Sequence, residues 1–348
     1  MSDFTIRDIA RIAGVSTTAV SFVLNGKPGV SDATRERVQD IIQRTGFTPN
    51  AHTRRLNLGR SFTIHVVLYW HSSDLFNQFA LEIMYGIFHS CKELGYGVMV
   101  TFVDKTMDCT ALMESIRSKD CDGVILSQIE DPIFMARLQQ ENIPFVCVDS
   151  HVKKDGVISL VEINYYDAAY RAVKYLCQCG HTQIGFLGPS TSLELHSACF
   201  GGYTAALRET GLVCDPAWIG SFDFAAGAAG AYFEKLMQTA VLPTAFFCVG
   251  DVFAIEFMRT AQRRGYRIPE DFSIISIDDI LVSRFVSPPL TTMTFDKESL
   301  GSCAVEMLYA MISGKEYDPV MLLPARLCER GSVRRIGTDG KKSGEANV

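Results

Sequence analysis

Apolar residues in the first 46 positions recur with a helical period, in three short runs that each end at a turn signal. Ile6, Ile9, Ala10 and Ala13 share one face, Thr5 and Asp8 have the spacing of a capping box, and Gly14 ends the run. Ser16 can cap a second helix with Val20, Val23 and Leu24 inward, stopped by Asn25-Gly26 ahead of Lys27-Pro28-Gly29. Ser31 can cap a third, with Val38, Ile41 and Ile42 inward and Gly46 at its end. Two helices joined by so short a turn, with a third closing the core, predict a helix-turn-helix unit.

From residue 62 the pattern changes to short apolar runs alternating with longer helical periods. Thr63–Tyr69, Val98–Phe102, Gly123–Leu126, Phe145–Val148, Ile184–Leu187, Ala245–Val249 and Phe272–Ile277 have the continuous apolar character of strands buried on both faces, and all but the last precede a helical stretch. Such alternation predicts parallel sheets covered by helices. About 275 residues are too many for one sheet of this kind, so two α/β lobes are expected, with a ligand cleft beyond the carboxyl ends of their strands. Residues 49–61 form the junction; between Asn50 and Gly59 there is room only for a helix too short to be stable alone, hence a conditional one. The polar tail 337–348 is expected to be disordered.

Composition sharpens this picture in three ways. A hydrophobic fraction of 47% over 348 residues excludes a disordered chain. The net charge of -6 conceals a split: residues 1–60 carry nine Lys and Arg against five Asp and Glu, leaving 24 against 34 for the rest, so a basic head precedes an acidic body. No apolar run reaches the eighteen or so residues of a membrane span, and the start Ser2-Asp3-Phe4-Thr5 lacks the pattern of a secretory leader, so a cytoplasmic protein is expected. The 11 cysteines are odd in number and lack metal-ligand spacing; Cys177-Gln178-Cys179 is neither a zinc knuckle nor a thioredoxin pair. They are expected to be reduced, mostly core thiols, with no metal or cofactor implied, and nothing marks one as a redox sensor.

With Val20, Val23 and Leu24 inward, Thr17, Thr18, Ser21 and Phe22 lie on the opposite side of the second helix. In a helix-turn-helix that side enters the major groove, where hydroxyls contact base edges and an aromatic ring packs on a thymine methyl. Packing of Phe22 on the third helix or a partner surface is the other reading.

The string Thr5-Ile6-Arg7-Asp8-Ile9-Ala10-Arg11-Ile12-Ala13-Gly14-Val15-Ser16, with Val20-Ser21-Phe22-Val23-Leu24-Asn25-Gly26, closely resembles the DNA-binding headpiece of the LacI/GalR repressor family. The resemblance runs on through Val30-Ser31, Thr34-Arg35, Val38, Gly46-Phe47-Thr48-Pro49-Asn50 and Leu56, and returns in the body at Gly180-His181, Gly202-Tyr203, Pro269-Glu270-Asp271, Asp278-Asp279 and Pro289-Leu290-Thr291-Thr292. It implies a transcriptional regulator, most often a repressor, that binds a near-palindromic operator in double-stranded DNA as a homodimer in a bacterial cytoplasm, held on the nucleoid by its operator. It also implies a body of the periplasmic-binding-protein type. The expected domains are a headpiece (1–48), a hinge helix and linker (49–61) and a two-lobed body (62–336). Lobe 1 takes about 62–163 and 292–323, and lobe 2 about 164–291 and 324–336.

By the same resemblance, Thr17, Thr18 and Phe22 read bases, while Thr5, Ser16, Ser21, Asn25, Ser31 and Asn50 serve DNA contact, several of them at phosphates. The third reader is often Arg or His in the family; Phe22 offers no charged contact to guanine, which argues for a thymine-methyl or shape-based preference. In the hinge, Leu56 would wedge into the minor groove and kink the duplex, the alternative being packing on the body, and Thr53, Arg54 and Arg55 flank it.

The effector pocket departs more from the family. Cys199 stands where an Arg is usual, Gly250 where an Asn is common, and Phe295 where a polar residue is frequent. Asp149, Phe222 and Asp278 match acidic and stacking positions of sugar-binding members, and His196 could replace the lost donor. Two explanations remain open: a small, sugar-like effector in a more apolar pocket built from Tyr69, Phe222 and Phe295, or a site without small-molecule control, served by a protein corepressor. An enzyme is not expected, since no Ser-His-Asp, HExxH or GxxxxGK arrangement is present. A free-standing sugar-binding protein would not need the headpiece.

Overall fold

The computed structural model describes residues 4–24, 26–47, 60–70, 74–104, 106, 108–118, 121–153, 157–190, 192–222, 227–239 and 241–336. They fall into two compact units, divided between Phe62 and Thr63.

The first unit is three helices, α1 (Ile6–Ala13), α2 (Thr17–Leu24) and α3 (Asp32–Thr45). Thr5 and Asp8 form the reciprocal capping box, and Gly14 closes α1 in the left-handed region. Such a cap is worth about 1 kcal/mol, a large share for so small a unit. Ser31 caps α3 and Gly46 ends it. The eight-residue core is Ile9, Ala10, Ala13, Val20, Val23, Val38, Ile41 and Phe47.

The second unit holds two six-stranded sheets. The first is ordered β11-β5-β4-β3-β1-β2 from Thr63–Tyr69 (β1), Gly97–Val103 (β2), Gly123–Ser127 (β3), Phe145–Val148 (β4), Leu160–Ile163 (β5) and Val320–Leu323 (β11), all parallel. The second is ordered β12-β10-β9-β8-β6-β7 from Ile184–Pro189 (β6), Ile219–Phe222 (β7), Ala245–Cys248 (β8), Ser273–Ile277 (β9), Thr291–Thr294 (β10) and Arg326–Cys328 (β12); β12 alone is antiparallel there. Helices α4 (Asp74–Glu93), α5 (Cys109–Ser118), α6 (Pro132–Gln140) and α11 (Lys297–Ile312) belong to lobe 1; α7 (Tyr165–Gln178), α8 (Leu193–Glu209), α9 (Ala228–Leu236) and α10 (Asp251–Arg263) belong to lobe 2.

The chain passes between lobes after β5, after β10 and after β11. The second passage comes later than the lobe boundary expected at residue 292, because Thr291–Thr294 pairs with β9 and β12 inside the second sheet. Where α4 and α11 cross, a Cβ on Gly86 would meet the Glu298 carbonyl oxygen at 2.0 Å, and one on Gly301 the Ile83 carbonyl at 2.2 Å. The two backbones touch there, and only glycine permits it. No described helix is long and apolar enough to cross a membrane.

Candidate functional site

Two regions concentrate polar chemistry, an exposed helix face in the first unit and a largely buried cluster in the second. On α2, the inward turn of Val20 and Val23 leaves Thr17 and Thr18 exposed and Ser21 half-buried. Ser16 accepts the Ala19 amide at 3.1 Å, so its hydroxyl caps the helix that carries these residues. Thr5 and Ser31 likewise spend their side-chain oxygens on caps, from the Asp8 and Thr34 amides. Phe22 is half-buried: its ring lies over Gly29, whose Cβ would stand 3.4 Å away, and Arg35 donates to the Lys27 carbonyl at 2.9 Å to hold that turn. The ring therefore packs partly on the loop before α3 and keeps one side free. Asn25, Asn50, Thr53, Arg54, Arg55 and Leu56 lie outside the described residues.

In the second unit, backbone strain marks the other region. Of the seven described non-glycine residues with positive φ, five sit within three residues of the ends of β3, β4 and β9: Gln128, Asp149, His151, Asp278 and Asp279. Left-handed conformations cost such residues of order 1 kcal/mol, and they gather where geometry serves function. Asp149, buried, accepts Tyr165 Oη at 2.7 Å and Gln128 Nε2 at 3.1 Å. His151 bonds Glu162 through Nδ1 at 2.9 Å, with its other nitrogen 3.9 Å from Asp149. Across the cleft, Ser192 leaves the start of α8 without a side-chain cap and donates instead to Glu130 of lobe 1 at 2.9 Å. Beneath the lobe 2 wall, Asp251 is fully buried and accepts Ser276 and Thr292 hydroxyls at 2.6 Å, the Ile280 amide at 2.9 Å and the Ser283 hydroxyl.

Electrostatics follow from this packing. Burial pushes Asp278 well above the carboxylate range, with repulsion from Asp251 and Asp149 adding to it, while Lys297 opposes. Burial also raises Glu130, against the stabilising His151 and Ser192. Burial pulls His151 down, but Asp149 and Glu162 outweigh it and bring the imidazole up to about 9. A histidine raised above its ordinary 6.5 stabilises the fold in full below that value and ceases to as pH rises through about 9. The melting temperature of the body should therefore fall between pH 6.5 and 9, and His151→Gln should flatten that slope; an unchanged slope would remove the assignment.

Residues 5–50 match the bacterial regulatory proteins, lacI family, and residues 173–333 the periplasmic binding protein-like domain. The chain is 31% identical to the HTH-type transcriptional repressor PurR of Aliivibrio salmonicida over 336 residues, covering 95% of this chain and 99% of that one. The chain belongs to the LacI family. Another relative, the HTH-type transcriptional repressor CytR of Escherichia coli strain K12, is 31% identical over 95% of this chain and 97% of its own. The solved structure of a transcriptional regulator CelR–cellobiose complex superposes with a TM-score of 0.73 at 25% identity, over 94% of this chain and 99% of that chain. The protein is thus a DNA-binding transcriptional regulator with a helix-turn-helix headpiece and a two-lobed α/β body.

Against the LacI-family expectation, the structure brings Asp149, Asp278 and Gly250 together. Gly250 has φ 107°, and a Cβ there would lie 3.6 Å from an Asp278 carboxylate oxygen, so the position is glycine for conformational reasons and leaves that acid uncovered. Other expected residues go elsewhere. Cys199 is fully buried and presents no surface where the family places Arg. His196 donates Nδ1–H to the Pro189 carbonyl at 2.8 Å and stacks on Phe200, so its ring serves that strand end. Phe295, also buried, packs edge-on to Phe79 and under Lys297; it lines a separate groove of about 660 Å³ with Leu81, Tyr85 and Arg284. Tyr69, half-buried, packs on the core under α5 and α6. The Phe222 side chain lies outside the described part. Gln128, Glu130, His151, Glu162, Tyr165 and Ser192 escaped sequence reasoning; the signal available was their place just past, or in the case of Glu162 within, buried apolar strands.

Proposed function

We propose that this LacI-family regulator binds a near-palindromic operator as a homodimer and that a small molecule in the interlobe cleft controls its affinity. The observation that carries the effector reading is the clustering of strained polar residues at the carboxyl ends of both sheets, where such folds take ligands. The regulator CelR, with the same body fold, is solved with cellobiose. Dimerisation is supported by an exposed apolar stripe on α4, Leu81, Tyr85 and Phe88 at 52%, 61% and 47% exposure, beside Phe102 on the edge strand β2. Patches of that kind mark protein interfaces. Ligand binding would act by shifting lobe closure, within the limit of its differential affinity for the two states.

Thr17, Thr18 and the free side of Phe22 form the base-reading face in this proposal, with Ser16, Ser21, Asn25 and the hinge residues Asn50, Thr53, Arg54, Arg55 and Leu56 serving backbone and minor groove. Selection from a random duplex library with the full chain should return an inverted repeat. Phe22→Ala should relax one base position by roughly tenfold in preference, while Arg55→Ala should weaken all sequences and shallow the salt dependence. A selected motif unchanged in Phe22→Ala would assign that ring to packing alone. The absence of an inverted repeat would overturn the dimeric reading. A protein corepressor remains the alternative controller, distinguished by a regulator whose DNA affinity answers no small molecule.

A further inference from the structure

The cleft carries more negative charge than it balances. Each oxygen of Asp149 accepts one bond, from Tyr165 and from Gln128, and His151 is engaged by Glu162 and Asp149. Glu130 reaches across to Ser192. Asp278 receives only a long contact from the Asp251 amide, 3.4 Å to Oδ2, and its other oxygen meets no partner among the described residues. The ammonium that Asp278 feels, Lys297, is held at 3.2 Å from Glu82 and 3.2 Å from the Asp279 carbonyl. Asp149, Glu162 and Glu130 thus share one imidazole, Asp278 feels only the already engaged Lys297, and the position at which the family places Arg is the buried Cys199.

An anionic ligand would add to this repulsion, and a neutral hydroxyl would hydrogen-bond Asp278 without offsetting its charge. A cation offsets it at Asp278, whose second oxygen meets no partner among the described residues. Resting on the effector reading above, we propose that the cleft takes a polyol bearing a protonated primary amine, an amino sugar in the simplest case, with the ammonium on Asp278 and phosphorylated or carboxylated sugars excluded. Burial and crowding by Asp251 and Asp149 raise the pKa of Asp278, so an ammonium that favours the ionised carboxyl should draw protons off it. For whatever fraction of Asp278 is protonated, the N–H···O contact forms as the carboxyl O–H dissociates and its proton passes to solvent.

The test uses the full chain and matched probes: glucosamine, galactosamine and mannosamine beside glucose, galactose, mannose, N-acetylglucosamine and glucose 6-phosphate, by thermal shift and titration calorimetry. At least one amino sugar should bind about tenfold or more tightly than its parent hexose, with proton release read from calorimetry in two buffers of different ionisation heat. Asp278→Asn should reduce that preference to about twofold. Should this variant lose cooperative melting, the wild-type ratio of hexosamine to hexose and the proton count decide alone. A hexose, N-acetyl derivative or phosphate that binds as tightly as the matching amine overturns the proposal and leaves the effector reading standing. A folded protein that answers none of the probes overturns the amino-sugar proposal and leaves the broader effector reading to ligands outside the monosaccharides.

Discussion

Asp251→Ala is expected to cost the body on the order of 3–5 kcal/mol, because it leaves four buried donors without an acceptor at once. Three hydroxyls and an amide converge on this carboxylate from β9, β10 and the segment after Asp279. Ser276, Ser283 and Thr292 have no exposure of their own, so bulk solvent does not reach them in the intact wall. For a unit of this size the loss corresponds to roughly 10 °C in melting temperature. Asp251→Asn keeps the shape and one acceptor oxygen, and should fall between the two. Urea and thermal unfolding of both variants check this; a loss under 1 kcal/mol in the alanine variant would mean that the hydroxyls find other partners and that the carboxylate is not the clamp of that wall.

Val20→Asp is expected to abolish DNA binding, by more than about a hundredfold, while leaving the melting transition of the body in place. Val20 is fully buried in an eight-residue core. A core that small supplies only about 3–5 kcal/mol in total, and an unpaired carboxylate in it costs several. The three helices would unfold as a unit, taking the α2 surface with them, whereas the division at Phe62–Thr63 separates this core from that of the body. Retained binding to the selected duplex, measured by gel shift beside a two-transition melting scan, would show that DNA rescues the fold or that α2 is not the reading element.

The elements best legible in the sequence were those whose residues answer one local demand. Thr5 with Asp8, Ser31 with Gly46 and the stripe Ile9, Ala13, Val20, Val23 each state a helix boundary or face within a few positions, and the headpiece follows from them. The mid-sheet strands β1, β3, β4, β8 and β9 are apolar on both faces because helices cover both. Less legible were β5, β7, β10, β11 and β12, of three or four residues each; Leu160–Ile163 carries Glu162, and Thr291–Thr294 has three threonines, so neither resembles an apolar run. The cleft shows the same limit. Asp149 and Asp278 could be named from family motifs, but that Gln128, Tyr165 and His151 would spend themselves on Asp149 and Glu162 depends on strand ends far apart in the chain. Phe295 illustrates the converse: next to a recognisable motif, its ring turns to Phe79 and Lys297.

The three passages of the chain between lobes have a consequence for synthesis. The headpiece core is complete once Phe47 has emerged, and all its contacts are local. Neither sheet of the body closes so early: β5 waits for β11 at residues 320–323, and β10 for β12 at residues 326–328, while α4 waits for α11. A ribosome that stalls anywhere between residues 100 and 320 therefore holds a finished DNA-reading module tethered to a body whose long-range pairings are unmade, and such a nascent chain would depend on chaperones for most of its translation. The last tenth of the message decides whether the body, though not the headpiece, can close.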